Sequence, residues 1–472
     1  MNISNKERSH IFPINQPNTS YSFKNGFPII TFQIGAQNKL LDTNSLRLNG
    51  VLRVQNFNNQ LPTNNVNDPG NANDRSGICL DNRIGVSSAI NQITISTLEN
   101  NRTLEVIRNY GRFLAGSMPV IHSADDLDTN QSVFNPCCAS KSFNGARHQN
   151  TEVSFSIPLR TGLLSSGQRL PLSSVNGVRG LIIELQLGPD SNTISGYRTY
   201  AQDPQGEEVI AQNISQGANY ELSNVSLTFD LLVPDEDGLS QMSMPSTGVI
   251  NYNSVSQIYG VINSSDNTQS YNLGTSKTLA VHHNFIRTNR INNYNFNGFD
   301  TNKLQNSLTP ANIRRVSFLR GGVKFPIDHD LLVEEQGQED KPQSELEQIY
   351  LDSIRPYNTI TNTLVSTWTN NNINTLTTPQ FYFPSTVATN DRIVGVPFGL
   401  SRELSTLPDN KPVFGVGVRL DKMSNVGVDY KSVPYSVRIV SDLDGNTPNS
   451  IYTYVLARNQ LIYSPDGVAV QN

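Results

Sequence analysis

The chain has 472 residues, long enough for two or three domains whose cores need neither disulfide nor metal staples. Only 16% of residues are charged and the net charge is −5, which excludes the clustered basic excess of a nucleic-acid packaging protein. No stretch approaches the roughly 18 apolar residues of a membrane span, and MNISNKERSH lacks the apolar core of a secretory signal.

Asparagine makes up roughly 12% of the chain, well above ordinary usage. With Gly and Pro it favours turns and lowers helix propensity. Residues 1–25 are polar and read as a flexible N-terminal arm. FPIITFQI (27–34) and SLRLNGVLRV (45–54) read as strands; in the second, Leu46, Leu48, Leu52 and Val54 recur at period two. Residues 56–86 form a long Asn-, Pro- and Gly-rich loop, followed by the strand INQITIST (90–97). TLEVIRNYGRFLA (103–115) has helical spacing, with Leu104, Ile107, Gly111 and Leu114 on one face. After a second loop at 116–150 come VSFSIPL (153–159), GLIIELQL (180–187) and the long strand YELSNVSLTFDLLV (220–233). The acidic turn PDEDG (234–238) marks a boundary, with a linker at 235–247.

The second half repeats the plan. GVINYNSVSQIYGVI (248–262), KTLAVHHNFI (277–286) and RRVSFLRGGVKF (314–325), the last with a Gly-Gly break, are predicted strands. Ser344-Glu345-Leu346-Glu347 matches a capping box and opens a helix that Pro356 stops. DRIVGVPF (391–398), VFGVGVRLD (413–421), YSVRIVSDL (435–443) and SIYTYVLARNQLIY (450–463) complete the set. The reading is all-β: a first unit at 26–234, a second at 248–465, and a C-terminal tail at 466–472.

In chain order, FQIGAQNKLLDTNSLRLNGVLRV (32–54), TISTLENNRTLEVIRNY (94–110), FSIPLRTGLLSSGQRLPLSSVNGVRGLIIELQL (155–187), HHNFIRTNRINNYNFNGF (282–299), FLRGGVKFP (318–326), SELEQIYLDSIRP (344–356), FGVGVRLDKMSNVGVDYKSVPYSVRI (414–439) and YVLARNQLIYSPDGVAV (454–470) resemble double jelly-roll major capsid proteins of the tectivirus–adenovirus lineage. The nearest likeness is to those of polinton-like viruses and virophages. The resemblance implies two tandem eight-stranded antiparallel jelly rolls with short helices in the connecting loops. It implies homotrimeric, pseudo-hexagonal capsomers that tile an icosahedral shell. The partners are then the chain itself, neighbouring capsomers, and penton and minor capsid proteins, with no sequence-specific nucleic-acid binding. The implied location is the virion, assembled inside the host cell. No enzymatic activity, catalytic residue, cofactor or metal is expected. The alternative is a jelly-roll lectin or adhesin, which would want aromatics and acids clustered at one loop end; Trp368 is the only tryptophan.

Each chemically suggestive motif has a plain structural reading. His282 and His283 are adjacent on a predicted strand, so they point to opposite faces and cannot easily share one ion. Asp328-His329-Asp330 could set a general base beside a carboxylate, but no nucleophile is evident and a turn is expected. Asp442-Leu443-Asp444-Gly445-Asn446 lacks the further ligands of a calcium loop. Cys137-Cys138 is a vicinal pair poorly placed for a disulfide, and with Cys79 makes an odd, sparse count.

Overall fold

The computed structural model describes residues 2–14, 20–24, 26–55, 77–80, 84–121, 152–165, 167, 169–197, 219–288, 291, 313–332, 334–335, 338–342, 344–354, 356, 382–383, 393–394, 415–421, 427–441, 449–465 and 467–471. In the first half the principal strands are β1 (Ile3–Ile11), β2 (Ile29–Ile34), β3 (Arg47–Gln55), β4 (Ile90–Thr97), β5 (Thr103–Arg108), β6 (Glu152–Pro158), β7 (Leu181–Leu187) and β8 (Asn219–Pro234). They form two antiparallel sheets, β1-β8-β3-β6 and β2-β7-β4-β5.

The second half supplies β9 (Gly248–Ile262), β10 (Asp266–Tyr271), β11 (Thr278–Arg287), β12 (Ile313–Arg320), β13 (Val323–Lys324), β14 (Gly415–Arg419), β15 (Tyr435–Ser441) and β16 (Asn449–Ser464). Their sheets are β9-β16-β11-β14 and β10-β15-β12-β13. Adding eight to each strand of the first pair of sheets reproduces the second pair. The same connectivity, with first and last strands adjacent and the sheets facing each other, makes each half a jelly roll.

Helices recur at the matching place too. α1 (Tyr110–Ile121) follows β5, and α3 (Ser344–Ile354) follows β13. The expected helix at 103–115 is therefore two elements. Thr103–Arg108 pairs with β4 as an edge strand, and the helix starts only at Tyr110, after Asn109 turns the chain at φ 50°. The Gly-Gly break at 321–322 is a hairpin turn rather than an interruption in one strand: both glycines have positive φ, and β13 folds back on β12. Of DRIVGVPF, only Ile393–Val394 is a described strand. The capping contact expected between Ser344 and Glu347 lies outside the described side chains.

Three segments set outside the two predicted units carry regular secondary structure. Residues 3–11 of the supposed arm are β1, the first strand of the first jelly roll, paired with β8 from Ile3↔Pro234 to Ile11↔Leu227. Its polarity suits an edge, where charge discourages stray pairing, and ion pairs hold it down. Lys6 and Arg8 each approach Asp230 at 2.9 Å, and Lys39 reaches Glu7 at 2.6 Å. Burial raises the Asp230 pKa, but the hydrogen bonds from Lys6 and Arg8 outweigh it and hold the carboxyl below its ordinary value. Within the supposed linker 235–247, α2 (Glu236–Ser243) is capped by the Asp235 side chain, which accepts from the Gly238 N–H at 2.9 Å. Its Met242 packs against Leu40 and Leu232. Residues 467–471 of the tail form a strand on the end of β16.

Among the described residues, two large apolar cores stand out. One lies between the sheets of the second jelly roll and holds Phe285, Phe318, Val437 and Val455. The other holds Phe32, Leu48, Ile95 and Leu227 of the first jelly roll, and continues without a break into Tyr252, Tyr454 and Leu456 of the second. The sheet β9-β16-β11-β14 thus buries both faces. That explains why SIYTYVLA reads as an unbroken apolar run instead of alternating.

Deleting residues 2–11 should lower the unfolding free energy by about 1 kcal/mol for each ladder hydrogen bond lost, and should lower the midpoint of a denaturant titration. An arm that packed on nothing could be removed without moving the midpoint.

Candidate functional site

The joint between the two jelly rolls holds the densest buried polar chemistry among the described residues. At its centre is Glu105 on β5, 3% exposed. Its Oε1 accepts from the N–H groups of Gly162 (2.8 Å) and Val255 (2.6 Å), and its Oε2 accepts from that of Leu163 (3.0 Å). One carboxylate thus ties β5, the segment after β6, and β9 of the other jelly roll. Position 162 must be glycine for this approach, because a Cβ there would stand 2.8 Å from both Glu105 Oε1 and Ser254 Cα. Burial raises the Glu105 pKa from 4.5 to about 7, against the lowering effect of its hydrogen bonds.

Around this centre the rolls exchange further contacts. Tyr252 Oη donates to Leu104 O at 3.2 Å, and Tyr454 Oη to Asn109 O at 3.1 Å. The Arg112 guanidinium of α1 lies 4.4 Å from the centroid of the Tyr452 ring, a cation–π contact. The two matching helices meet where Tyr350 of α3 donates to Gly116 O of α1 at 2.9 Å. A Cβ at Gly116 would collide with Asn284. At the far end Arg179 pairs with Glu99 at 2.7 Å and donates to Ser464 O and Pro465 O at 2.7 and 3.1 Å, binding the C-terminal hairpin to the first jelly roll.

His282 and His283 point to opposite faces of β11, as adjacent strand residues must. His282 stacks on Tyr454 in the joint with ring centroids 5.1 Å apart. His283 lies within the second jelly roll, held at Nδ1 by Thr453 Oγ1 (2.8 Å) and at Nε2 by Tyr435 Oη (2.7 Å). Burial pushes both imidazoles down to about 3, so they stay neutral. Their rings lie on opposite faces of the strand, and no cluster of three or more His, Cys, Asp or Glu side chains fit to hold a metal occurs among the described residues.

Asp328-His329-Asp330 does come together, but on the surface. His329 bridges Asp328 (3.1 Å) and Glu345 of α3 (3.0 Å), and these hydrogen bonds raise its pKa while lowering that of Asp328. Asp330 turns away to Ser317 and to Lys324 at 2.9 Å. Among the described residues, the hydrogen-bond partners of the His329 ring are the carboxylates of Asp328 and Glu345 and include no nucleophile. Asp442–Asn446, Cys137, Cys138 and Trp368 lie outside the described residues, and of Cys79 only the backbone strand is described. The sequence reading missed Glu105 because nothing in TLEVIR marks one carboxylate for burial; its partners lie about 57 and 150 residues away in the chain. Among the described residues no helix is long and apolar enough to cross a membrane.

No protein-family model matches the sequence, and no curated protein sequence matches it. Solved structures do match over nearly the whole chain. The Faustovirus major capsid protein is 8% identical with a TM-score of 0.55, covering 98% of this chain and 90% of that one. A chain of the PBCV-1 virus capsid is 9% identical with a TM-score of 0.54, covering 100% and 97%. A chain of the Sputnik virophage particle is 11% identical with a TM-score of 0.50, covering 99% and 88%. At such identities the likeness is one of fold, and the chain has the double jelly-roll fold of these viral chains.

Three buried groups, Glu105 and His282 at the joint and His283 within the second jelly roll, make stability depend on pH. Between pH 4.5 and about 7 the folded chain keeps a proton on Glu105 that the unfolded chain releases, so this contribution is complete below 4.5 and is lost as pH rises through 7. Between 6.5 and about 3 the unfolded chain protonates His282 and His283 while the folded chain does not, so their contribution is lost as pH falls. Below 6.5 two histidines outweigh one glutamate, and above 6.5 only the glutamate acts. Denaturant midpoints should therefore peak near pH 6.5. Glu105→Ala should cost about 1–3 kcal/mol for each N–H left unpaired and flatten the alkaline limb. A midpoint still climbing at pH 9 would contradict this account of the joint.

Proposed function

We propose that this chain is the major capsid protein of an icosahedral virus, and that it builds the shell as a homotrimer without catalysing any reaction. The observation that carries this reading is the duplicated strand order, locked at one joint. A single chain presents two wedges of the same topology, residues 3–234 and 248–471, joined through α2. Three copies then supply six near-equivalent wedges around an axis. Such an outline is nearly hexagonal and can tile a surface.

The chemistry favours this reading. Glu105 and His283 are consumed in structural contacts, and the exposed His329 is held by two carboxylates, with no nucleophile among its partners in the described residues. Jelly rolls keep their sheet edges short and protected, which suits a protein packed at very high local concentration. Contacts repeated across a shell can each be modest while their sum is large. The viral chains with the same fold include a major capsid protein and a component of a virus capsid. The working location is then the virion, with penton and minor capsid proteins as further partners.

Purified chain should run in light scattering at about 156 kDa, three times the 52.1 kDa chain. A monomer that persists at high concentration would remove the basis of this reading.

A further inference from the structure

A small cavity opens beside the joint, where Arg112 meets Tyr452. It measures about 200 Å³, the liquid volume of roughly six or seven waters. The first jelly roll builds most of it. Asn91 comes from the start of β4, Asn109 from the turn between β5 and α1, Arg112 from the first turn of α1, and Asn192 from the segment after β7. Tyr452 of β16 and Ile291 close it from the second jelly roll. Its floor is buried, with Arg112 only 4% exposed beside the Tyr452 ring, while the three asparagines and Ile291 are half-buried at its rim.

We propose that this cavity binds a phosphoryl oxyanion, as free phosphate or as the head of a small phosphate ester, and that the bound anion braces the two jelly rolls against each other. Arg112 is the only charged side chain in the described lining, so the cavity offers an anion attraction without repulsion. The carboxylate closest along the chain, Asp190, is not part of the lining; it accepts from the Tyr220 N–H at 3.1 Å.

The lining selects this class of ligand. The Arg112 guanidinium sits over the Tyr452 ring, its carbon 4.4 Å from the ring centroid. A guanidinium holds phosphate oxygens through the N–H groups in its own plane, and a ring on its face does not block that edge. Asn91, Asn109 and Asn192 bring carboxamides from three separate segments, each with two N–H donors and an acceptor. Donors that converge from several directions suit a tetrahedral anion better than a flat carboxylate. The positive end of the α1 dipole lies at the same place and adds to the attraction. Ile90, Ile291 and Tyr452 give an apolar wall for the organic part of an ester. The cavity is smaller than ordinary drug-sized pockets, which limits the ligand to a small molecule. Because Arg112 belongs to one jelly roll and Tyr452 to the other, an anion that fixes the guanidinium also fixes a contact across the joint. A ligand held only by the folded chain stabilises it in proportion to its occupancy.

The test is calorimetric titration of the full-length chain with inorganic phosphate and with glycerol 1-phosphate, against sodium chloride at matched ionic strength. The native chain should bind at least one probe with a Kd below about 1 mM, and that probe, unlike chloride, should raise the denaturant midpoint. Arg112→Gln should weaken binding by about tenfold or more. Asn91→Asp sets a carboxylate at the half-buried rim and should weaken binding by a similar factor, about tenfold, with a circular dichroism spectrum that matches the native chain. This second variant keeps the test decisive if Arg112→Gln fails to fold. Tighter binding of glycerol 1-phosphate supports the site and assigns it to an ester; equal or weaker binding supports it and assigns it to free phosphate. A native chain that binds neither probe below about 1 mM, or binding that either folded variant leaves unchanged, would overturn the site.

Discussion

The structure depends on one sheet belonging to two cores. In β9-β16-β11-β14, inward residues such as Val281, Phe285, Ile451 and Val455 close the second jelly roll. Their immediate neighbours Ala280, Ile286, Tyr452, Tyr454 and Leu456 belong to the apolar cluster of the first. Because side chains alternate along a strand, neighbouring residues of β16 between Ile451 and Leu456 serve different barrels. The two barrels cannot reorient without exposing that face. An interface between domains is by default mobile; a shared sheet makes it part of the interior.

Polar groups in that interior need partners, and Glu105 and His283 have them. Glu105 takes three backbone donors, and His283 is held at both ring nitrogens. Buried polar groups of this kind cost a great deal when a partner is missing, so Glu105, whose donors come from both barrels, fixes the register of one on the other more sharply than apolar contact alone. Gly162 and Gly116 serve the same end by permitting backbone approach that no side chain would allow.

Much of this was legible in the sequence. Period-two alternation at 46–54 and 153–159 and the apolar, β-branched stretch at 180–187 give strands where the structure has them. The adjacency of His282 and His283 was enough to separate their side chains. Other features were not legible, for identifiable reasons. β1 has almost no apolar residue because its stability comes from ladder pairing and from ion pairs with Asp230, a partner more than 200 residues distant. TLEVIRNYGRFLA has helical spacing throughout, but β4 offers its first six residues a ladder, and tertiary pairing overrides local preference. The Glu105 contacts depend on the meeting of the two barrels, which no local pattern encodes.

On the proposed function, three copies of this duplicated, rigidly jointed chain make a ring of six near-equivalent wedges. Electron microscopy of the purified assembly tests it most directly. Averages viewed down the axis should show a near-hexagonal outline with six upright barrels, alternating between two slightly different kinds. Averages showing paired barrels splayed at variable angles, or an assembly without threefold symmetry, would contradict it.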